Sequence, residues 1–119
     1  MVYSIITICK NDSIHLIKTV QSVLNQAGDM HNVEMVIVDG ASTDSTKDVV
    51  PEYIKIGEKK GLNIRFYSSP DKGIYDAMNK GVRYALGEWC IFVNAGDCFF
   101  DNNAIELFDS INKENNDII

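Results

Sequence analysis

The chain has 119 residues, 45% of them hydrophobic and 24% charged, with a formal net charge of -6. That length allows one domain at most with a core of its own, and the composition is ordinary for a globular protein. The acidic balance excludes a nucleic acid or an anionic membrane surface held by bulk charge, while a nucleotide stays open because backbone groups or a metal can offset phosphate charge.

Tyr3 to Cys9 is rich in β-branched residues and predicts a first strand. Asn11, Asp12 and Ser13 supply turn and cap residues. Leu16, Val20, Val23 and Ala27 then recur at helical spacing, with Ile17 and Leu24 beside them, as an amphipathic helix to about Gln26 that ends near Gly28. Val33 to Val38 predicts a second strand. A second helix, capped by Asp44 or Thr43, runs to about Lys60 and is closed by Gly61; Pro51 predicts a kink or a new helical piece. Asn63 to Tyr67 is a third strand, and 68–73 a loop. Ile74, Met78, Val82 and Ala85 mark one face of a third helix, with Gly87 as its stop. Glu88 to Val93 is a fourth strand. Asp101 opens a last helix to about Asn112, in which Ile105, Leu107, Phe108 and Ile111 are apolar, and Asp117-Ile118-Ile119 begins another strand.

This alternation of strand and helix predicts an α/β domain of layered α/β/α build around a mainly parallel sheet. No repeat, low-complexity tract or linker interrupts it, and the chain reads as the front portion of a longer protein. Two apolar runs, Met35-Val36-Ile37-Val38 and Trp89-Cys90-Ile91-Phe92-Val93, lead into turns that carry Asp39 and Asp97. Such runs suit parallel strands buried on both faces, and sheets of that kind bind ligands beyond the carboxyl ends of their strands. Acidic groups there suit hydroxyls, an amide-bearing base or a divalent cation better than bare phosphate gripped by lysines.

Cys9, Cys90 and Cys98 make an odd count without metal-ligand spacing, and they read as buried free thiols in a reducing cytoplasm. No secretory pattern opens the chain, and the Val2 to Cys9 run is too short to cross a bilayer. His15 and His31 read as surface residues. Trp89, Phe92, Phe99 and Phe100 read as packing residues.

Taken together, several segments resemble family 2 glycosyltransferases of the GT-A fold. These are Ser4-Ile5-Ile6-Thr7-Ile8 with Asn11, the helix with Ser22-Val23-Leu24-Asn25-Gln26, and Glu34 to Thr46. Pro70-Asp71-Lys72-Gly73-Ile74-Tyr75-Asp76-Ala77-Met78-Asn79-Lys80-Gly81 is similar to a subgroup that builds bacterial exopolysaccharides of the colanic-acid type. Phe92-Val93-Asn94-Ala95-Gly96-Asp97 stands where the family carries its acidic metal motif. The resemblance covers nearly the whole chain. It implies that 1–119 is the N-terminal nucleotide-sugar-binding part of a GT-A domain whose acceptor-binding half is absent.

The implied reaction moves a sugar from a nucleotide diphosphate sugar, a UDP-sugar by expectation, to an acceptor hydroxyl with inversion, in bacterial surface polysaccharide synthesis. The implied cofactor is Mn²⁺ or Mg²⁺, held through Asp97, which would neutralise charge on the leaving diphosphate. One carboxylate in this turn, where the family often has several, implies that the pyrophosphate completes the metal site. Asp39 would accept from the base or ribose. Thr7, Cys9 and Asn11 would border the base, Asp71 would reach base or ribose, and Lys72 a phosphate. Asp76 and Asn79 would hold donor-sugar hydroxyls, as would Asn94 in the Asn94-Ala95-Gly96 turn.

No catalytic residue is assigned. The family's general base lies in its second half, which places it beyond Ile119. The acceptor is expected to be a saccharide or a lipid-linked saccharide. The protein is expected in the cytoplasm, peripheral at the inner membrane in full-length form, with its cut edge open to homodimerisation. Two other readings stand beside this one. A nucleotidyltransferase wants a Gly-rich basic loop after strand one, and Lys10-Asn11-Asp12-Ser13 contains no glycine. A non-catalytic nucleotide-binding α/β module, inactive as a segment, would need only the fold.

Overall fold

The structure, a computed structural model, describes residues 2–26 and 30–95. The expectations for Ala27, Gly28, Gly96, Asp97, Cys98, Phe99, Phe100, the helix from Asp101 and the strand from Asp117 lie outside the described residues. In chain order the elements are β1 (Tyr3–Cys9), α1 (Ser13–Leu24), β2 (Val33–Asp39), α2 (Thr46–Lys60), β3 (Asn63–Ser68), α3 (Ile74–Tyr84) and β4 (Trp89–Phe92). The strands form one parallel sheet in the order β3-β2-β1-β4.

Every residue of β1 and β2 is buried, as continuous apolar central strands require. Tyr3, Ile5, Met35 and Ile37 face Leu16, Val20 and Val23 of α1 and Val50 of α2. Ile6, Ile8, Val36 and Val38 face Ala77 of α3. The layers are therefore α1 and α2, then the sheet, then α3.

Several expectations need correction. β4 is short and alternates between half-buried and exposed positions, because it is an edge strand with no helix among the described residues over its Cys90 and Phe92 side. Cys90 is accordingly exposed, not buried, and Phe92 is 41% exposed, not core. α2 is one helix through Pro51. It starts at Thr46 rather than after a capping Asp44, although Asp44 Oδ1 accepts from the Thr46 N–H at 3.1 Å. Its end is as expected. Gly61 sits at φ 83, and the N–H groups of Gly61 and Leu62 return to Glu58 and Gly57, the paired bonds that close a helix through a left-handed residue.

α3 stops at Tyr84, with extended Ala85 as its cap, before Gly87. Its closest contact with the sheet runs through Ala77 and Gly81; of the expected stripe, Met78 and Ala85 pack on the same cluster, while Ile74 is 62% and Val82 47% exposed. Gly81 allows this close approach: a Cβ there would overlap Ile6 Cγ2.

A buried polar cluster locks α3 and the start of β4 to the sheet. Glu34, fully buried on β2, accepts from Ser4 Oγ at 2.6 Å, from the Leu86 N–H at 2.6 Å and from Arg65 Nε at 3.1 Å. Ser4 Oγ accepts in turn from the Gly87 N–H at 2.8 Å. Arg65 also donates to the Tyr84 carbonyl and the Tyr67 hydroxyl, each at 2.7 Å, and the Tyr67 and Tyr84 rings stack at 3.9 Å. Burial alone would raise the Glu34 carboxyl, but the bonds from Ser4, Leu86 and Arg65 outweigh it and hold it below the usual range.

A carboxyl lowered in the folded state adds stability that is present above its unfolded pKa and lost as pH falls through the folded value. Urea unfolding from about pH 7 down to about pH 3 should therefore show a smaller loss of stability in Glu34→Gln than in the parent chain; equal losses would remove this account. Gly81→Ala should cost about 1–3 kcal/mol in the same assay, the usual penalty of overpacking.

Candidate functional site

The sheet reverses direction at one place. β2 and then β3 are laid down on one side of β1, after which the chain returns to place β4 on the other side. Parallel sheets leave a crevice where that reversal occurs, because the connections leave the strand ends in opposite directions. A cleft of about 400 Å³ lies there, lined by the end of β1 (Ile8, Cys9, Lys10), the turn after β4 (Asn94, Ala95) and the entry to α3 (Asp71, Gly73, Ile74). Asp12 and Ala77 complete its wall.

Of the residues expected from sequence, Cys9, Asp71, Asn94 and Ala95 meet in this cleft. Asp71 Oδ1 accepts from the Gly73 N–H at 3.0 Å, and Oδ2 lies close to Gly40, where a Cβ would stand 2.7 Å from it and 3.3 Å from Lys10 Cδ. Gly40 thus lets both side chains settle beside the end of β2. Cys9 donates its thiol to Asp39 Oδ1 at 3.4 Å. Burial, and then the Asp39 charge, push the Cys9 thiol far up, so it stays protonated and is no nucleophile.

Asp39 itself is fully buried and does not line the cleft. Its carboxylate accepts from the Ser42 N–H at 2.9 Å, the Ser42 hydroxyl, Ser68 Oγ at 2.7 Å and Cys9 Sγ. Burial would raise its pKa; the Ser42 and Ser68 bonds prevail and lower it. Asn11 stands at φ 50, and its Oδ1 accepts from the Thr43 N–H at 2.7 Å while its own N–H donates to Ser42 Oγ at 2.7 Å. Asp44 accepts from the Ser13 N–H at 3.1 Å. These bonds tie the loop after β1 to the loop after β2.

Thr7 is fully buried in β1, and its Oγ1 has no partner among the described residues. Lys72 and Asn79 are exposed and lie outside the cleft wall. Asp76 Oδ2 accepts from the Lys72 N–H at 2.9 Å and lies 3.7 Å from Lys80 Nζ. That backbone bond first, and then the nearby lysines, lower the Asp76 carboxyl. Gly96 and Asp97 lie outside the described residues.

The wall residues not singled out from sequence as donor contacts are Lys10, Asp12, Gly73, Ile74 and Ala77. Their common property is a place on this cleft's wall, and local sequence does not signal that. Asp12 Oδ1 pairs with His15 Nδ1 at 2.7 Å in the open. The described lining offers one cation, two carboxylates and the Asn94 amide over an apolar floor, a set that can orient hydroxyls and N–H groups. Among the described residues no three His, Cys, Asp or Glu side chains come together as a metal site would need, and no helix is long and apolar enough to cross a membrane.

Residues 4–119 match the family model described as glycosyl transferase family 2. The chain is 37% identical over 73 residues to a PGL/p-HBAD biosynthesis glycosyltransferase of Mycobacterium bovis, across 60% of this chain and 27% of that protein. It is 26% identical over 115 residues to the minor teichoic acid biosynthesis protein GgaB of Bacillus subtilis, across 94% of this chain and 12% of that protein. The crystal structure of S. aureus TarS 1-349 in complex with UDP-GlcNAc has a TM-score of 0.76 and 26% identity, across 96% of this chain and 32% of that one. The chain spans about a third or less of the length of each of these proteins.

Asp39→Ala would strand several buried donors and should lower stability by about 1–3 kcal/mol in denaturant unfolding. It should also raise the rate at which Cys9 reacts with a small thiol reagent, since the Asp39 charge, which adds to burial in keeping the thiol protonated, is gone. A thiol as inert as in the parent chain would contradict the assignment.

Proposed function

The chain belongs to glycosyl transferase family 2, and on that basis we propose that it is the donor-binding part of an inverting enzyme that moves a sugar from a UDP-sugar to an acceptor hydroxyl in bacterial surface polysaccharide synthesis. The cleft at the sheet's reversal point carries this reading. Its size suits a small ligand, and its wall includes Asp71 and the Asn94-Ala95 turn after β4 that the sequence marks. The teichoic acid role in GgaB's description and the UDP-GlcNAc bound by TarS support the polymer and the donor class.

Each lining residue then has a task. Asp71 Oδ2 accepts from a base N–H or a ribose hydroxyl, while Oδ1 stays on the Gly73 backbone. Lys10 sets a positive charge near the diphosphate. Asn94 hydrogen-bonds sugar or ribose hydroxyls. Ile8, Ala77 and Ala95 give the apolar floor. Asp39 and Asn11 act behind this wall by holding the loops that form it, and Asp76 holds the turn that presents Asp71.

Asp97 is proposed as the protein ligand for Mn²⁺ or Mg²⁺, and the bound cation would offset charge on the departing diphosphate. The acceptor is proposed to be a saccharide or lipid-linked saccharide, met by the whole protein in the cytoplasm at the inner membrane. β4, paired on its inner side to β1, offers its outer side to a further strand of the same protein or of a second copy.

Calorimetric titration of UDP and GDP, each with and without Mn²⁺, tests the reading. UDP should bind in a metal-dependent way, Asp71→Ala should weaken it about tenfold, the worth of one hydrogen bond to a charged group, and Asp97→Ala should remove the metal dependence. Absence of nucleotide binding under every condition would refute the donor site in this chain.

A further inference from the structure

Asp71 stands in the loop that joins β3 to α3, and that loop is held at both ends. At its start the Ser69 N–H donates to the Asp39 carbonyl at 3.0 Å, which fixes it to the end of β2. At its close Gly73 takes φ 117, a backbone conformation that side chains disfavour. There its N–H turns back to Asp71 Oδ1 at 3.0 Å. Oδ2 lies close to Gly40.

The two peptide groups that flank Asp71 are held as well, by a single ion pair on α3. Lys80 Nζ donates to the Pro70 carbonyl at 2.7 Å and to Ser69 Oγ at 3.3 Å. That carbonyl belongs to the peptide before Asp71. Asp76 Oδ2 accepts from the Lys72 N–H at 2.9 Å, which belongs to the peptide after it. Asp76 and Lys80 stand one helical turn apart, 3.7 Å from Oδ2 to Nζ, with the acid N-terminal to the base as helices favour. The Lys80 side chain is 17% exposed, so salt screens its bonds less than at an open surface. Neither residue lines the cleft.

We propose that Lys80 is a positioning residue of the cleft: it holds the Pro70 carbonyl, pairs with Asp76, and so keeps Asp71 in its place on the wall before a ligand arrives. The inference rests on the donor-site reading and adds to it a residue that never touches the donor. A carboxylate already held where it binds gives up little freedom on binding. Without Lys80 the loop keeps only its attachment at Ser69 and the bond from Lys72 to an Asp76 that has lost its partner, and the ligand itself must order Asp71. A lysine reaching for the diphosphate would need Nζ in the cleft, whereas here Nζ is turned into the loop backbone.

Titration of UDP with Mn²⁺ into the full chain tests this through a double-mutant cycle. Lys80→Met keeps the stem and removes the donors. It should weaken UDP binding by about three- to tenfold, no more than Asp71→Ala does. In the Asp71→Ala background the same change should alter binding by less than about twofold, and Lys80→Arg in the parent chain should keep most of the affinity. Arg83→Met, which removes an exposed cation from the same helix, should leave binding unchanged. Without nucleotide, Lys80→Met should speed amide exchange at Lys72 and Gly73 by about tenfold, followed by nuclear magnetic resonance, and leave Phe66 of β3 unchanged. A loss of binding that persists in full in the Asp71→Ala background would overturn the proposal. So would unweakened binding in Lys80→Met where Asp71→Ala does weaken it, or unchanged exchange at Lys72 and Gly73. If no variant binds UDP, or if Asp71→Ala binds it as the parent does, the donor-site reading fails instead, and the exchange rates by themselves decide whether Lys80 holds Asp71.

Discussion

A single buried carboxylate organises the ligand-facing end of this sheet. Asp39 closes β2 with no exposed surface, and burying an ion is costly unless its lone pairs are met by donors. Here they are met by Ser42, Ser68 and Cys9, one from the loop after β2, one from the end of β3 and one from the end of β1. Three adjacent strand ends are therefore held by one charge. Asn11 extends the tie sideways to Ser42 and Thr43, and Asp44 reaches the start of α1. The cleft beside them inherits its shape from bonds that lie behind its wall.

Glu34 does the corresponding work at the other end of β2. Five residues separate the two carboxylates, so strand alternation sends them to opposite faces of the sheet. Asp39 lies on the α1 and α2 face, and Glu34 on the α3 face. Through Arg65, Ser4 and the Leu86 N–H, Glu34 fixes where α3 ends and where β4 starts. α3 must also lie close to the sheet for its entry to form one wall of the cleft, and Gly81 over Ile6 permits that. The geometry of the cleft is thus set from both ends of one strand.

The comparison of expectation with structure is instructive at particular residues. The boundaries of β1 and the closure of α2 at Gly61 were legible because they depend on local chemistry: β-branched residues in one case and a glycine free to take positive φ in the other. Asp71, Asn94 and Ala95 were legible as residues near the strand ends, and they line the cleft. Asp39 was legible as important, but the sequence does not reveal that its carboxylate would be consumed by Ser42, Ser68 and Cys9, two of which come from other strands. Lys10 and Ile74 gave no signal of their own. They became wall residues only because the end of β1, the turn after β4 and the entry to α3 meet at one cleft. The Ile74, Met78, Val82 and Ala85 stripe met the sheet only in part: Met78 and Ala85 pack on it, while Ile74 and Val82 stay exposed, since Ala77 and Gly81 make the closest contact.

The sequence by itself determined the alternation of strands and helices, the parallel character of the sheet and the family, because each follows from local periodicity, turn residues and motifs read in order. Tertiary structure alone decided which strands are neighbours, which face each helix covers and which polar groups are spent on one another. Those depend on contacts between residues about 30 or more apart in the chain, such as Cys9 with Asp39 and Gly87 with Ser4. No local pattern encodes such a pairing, because hydrogen bonds and burial are settled by proximity in space.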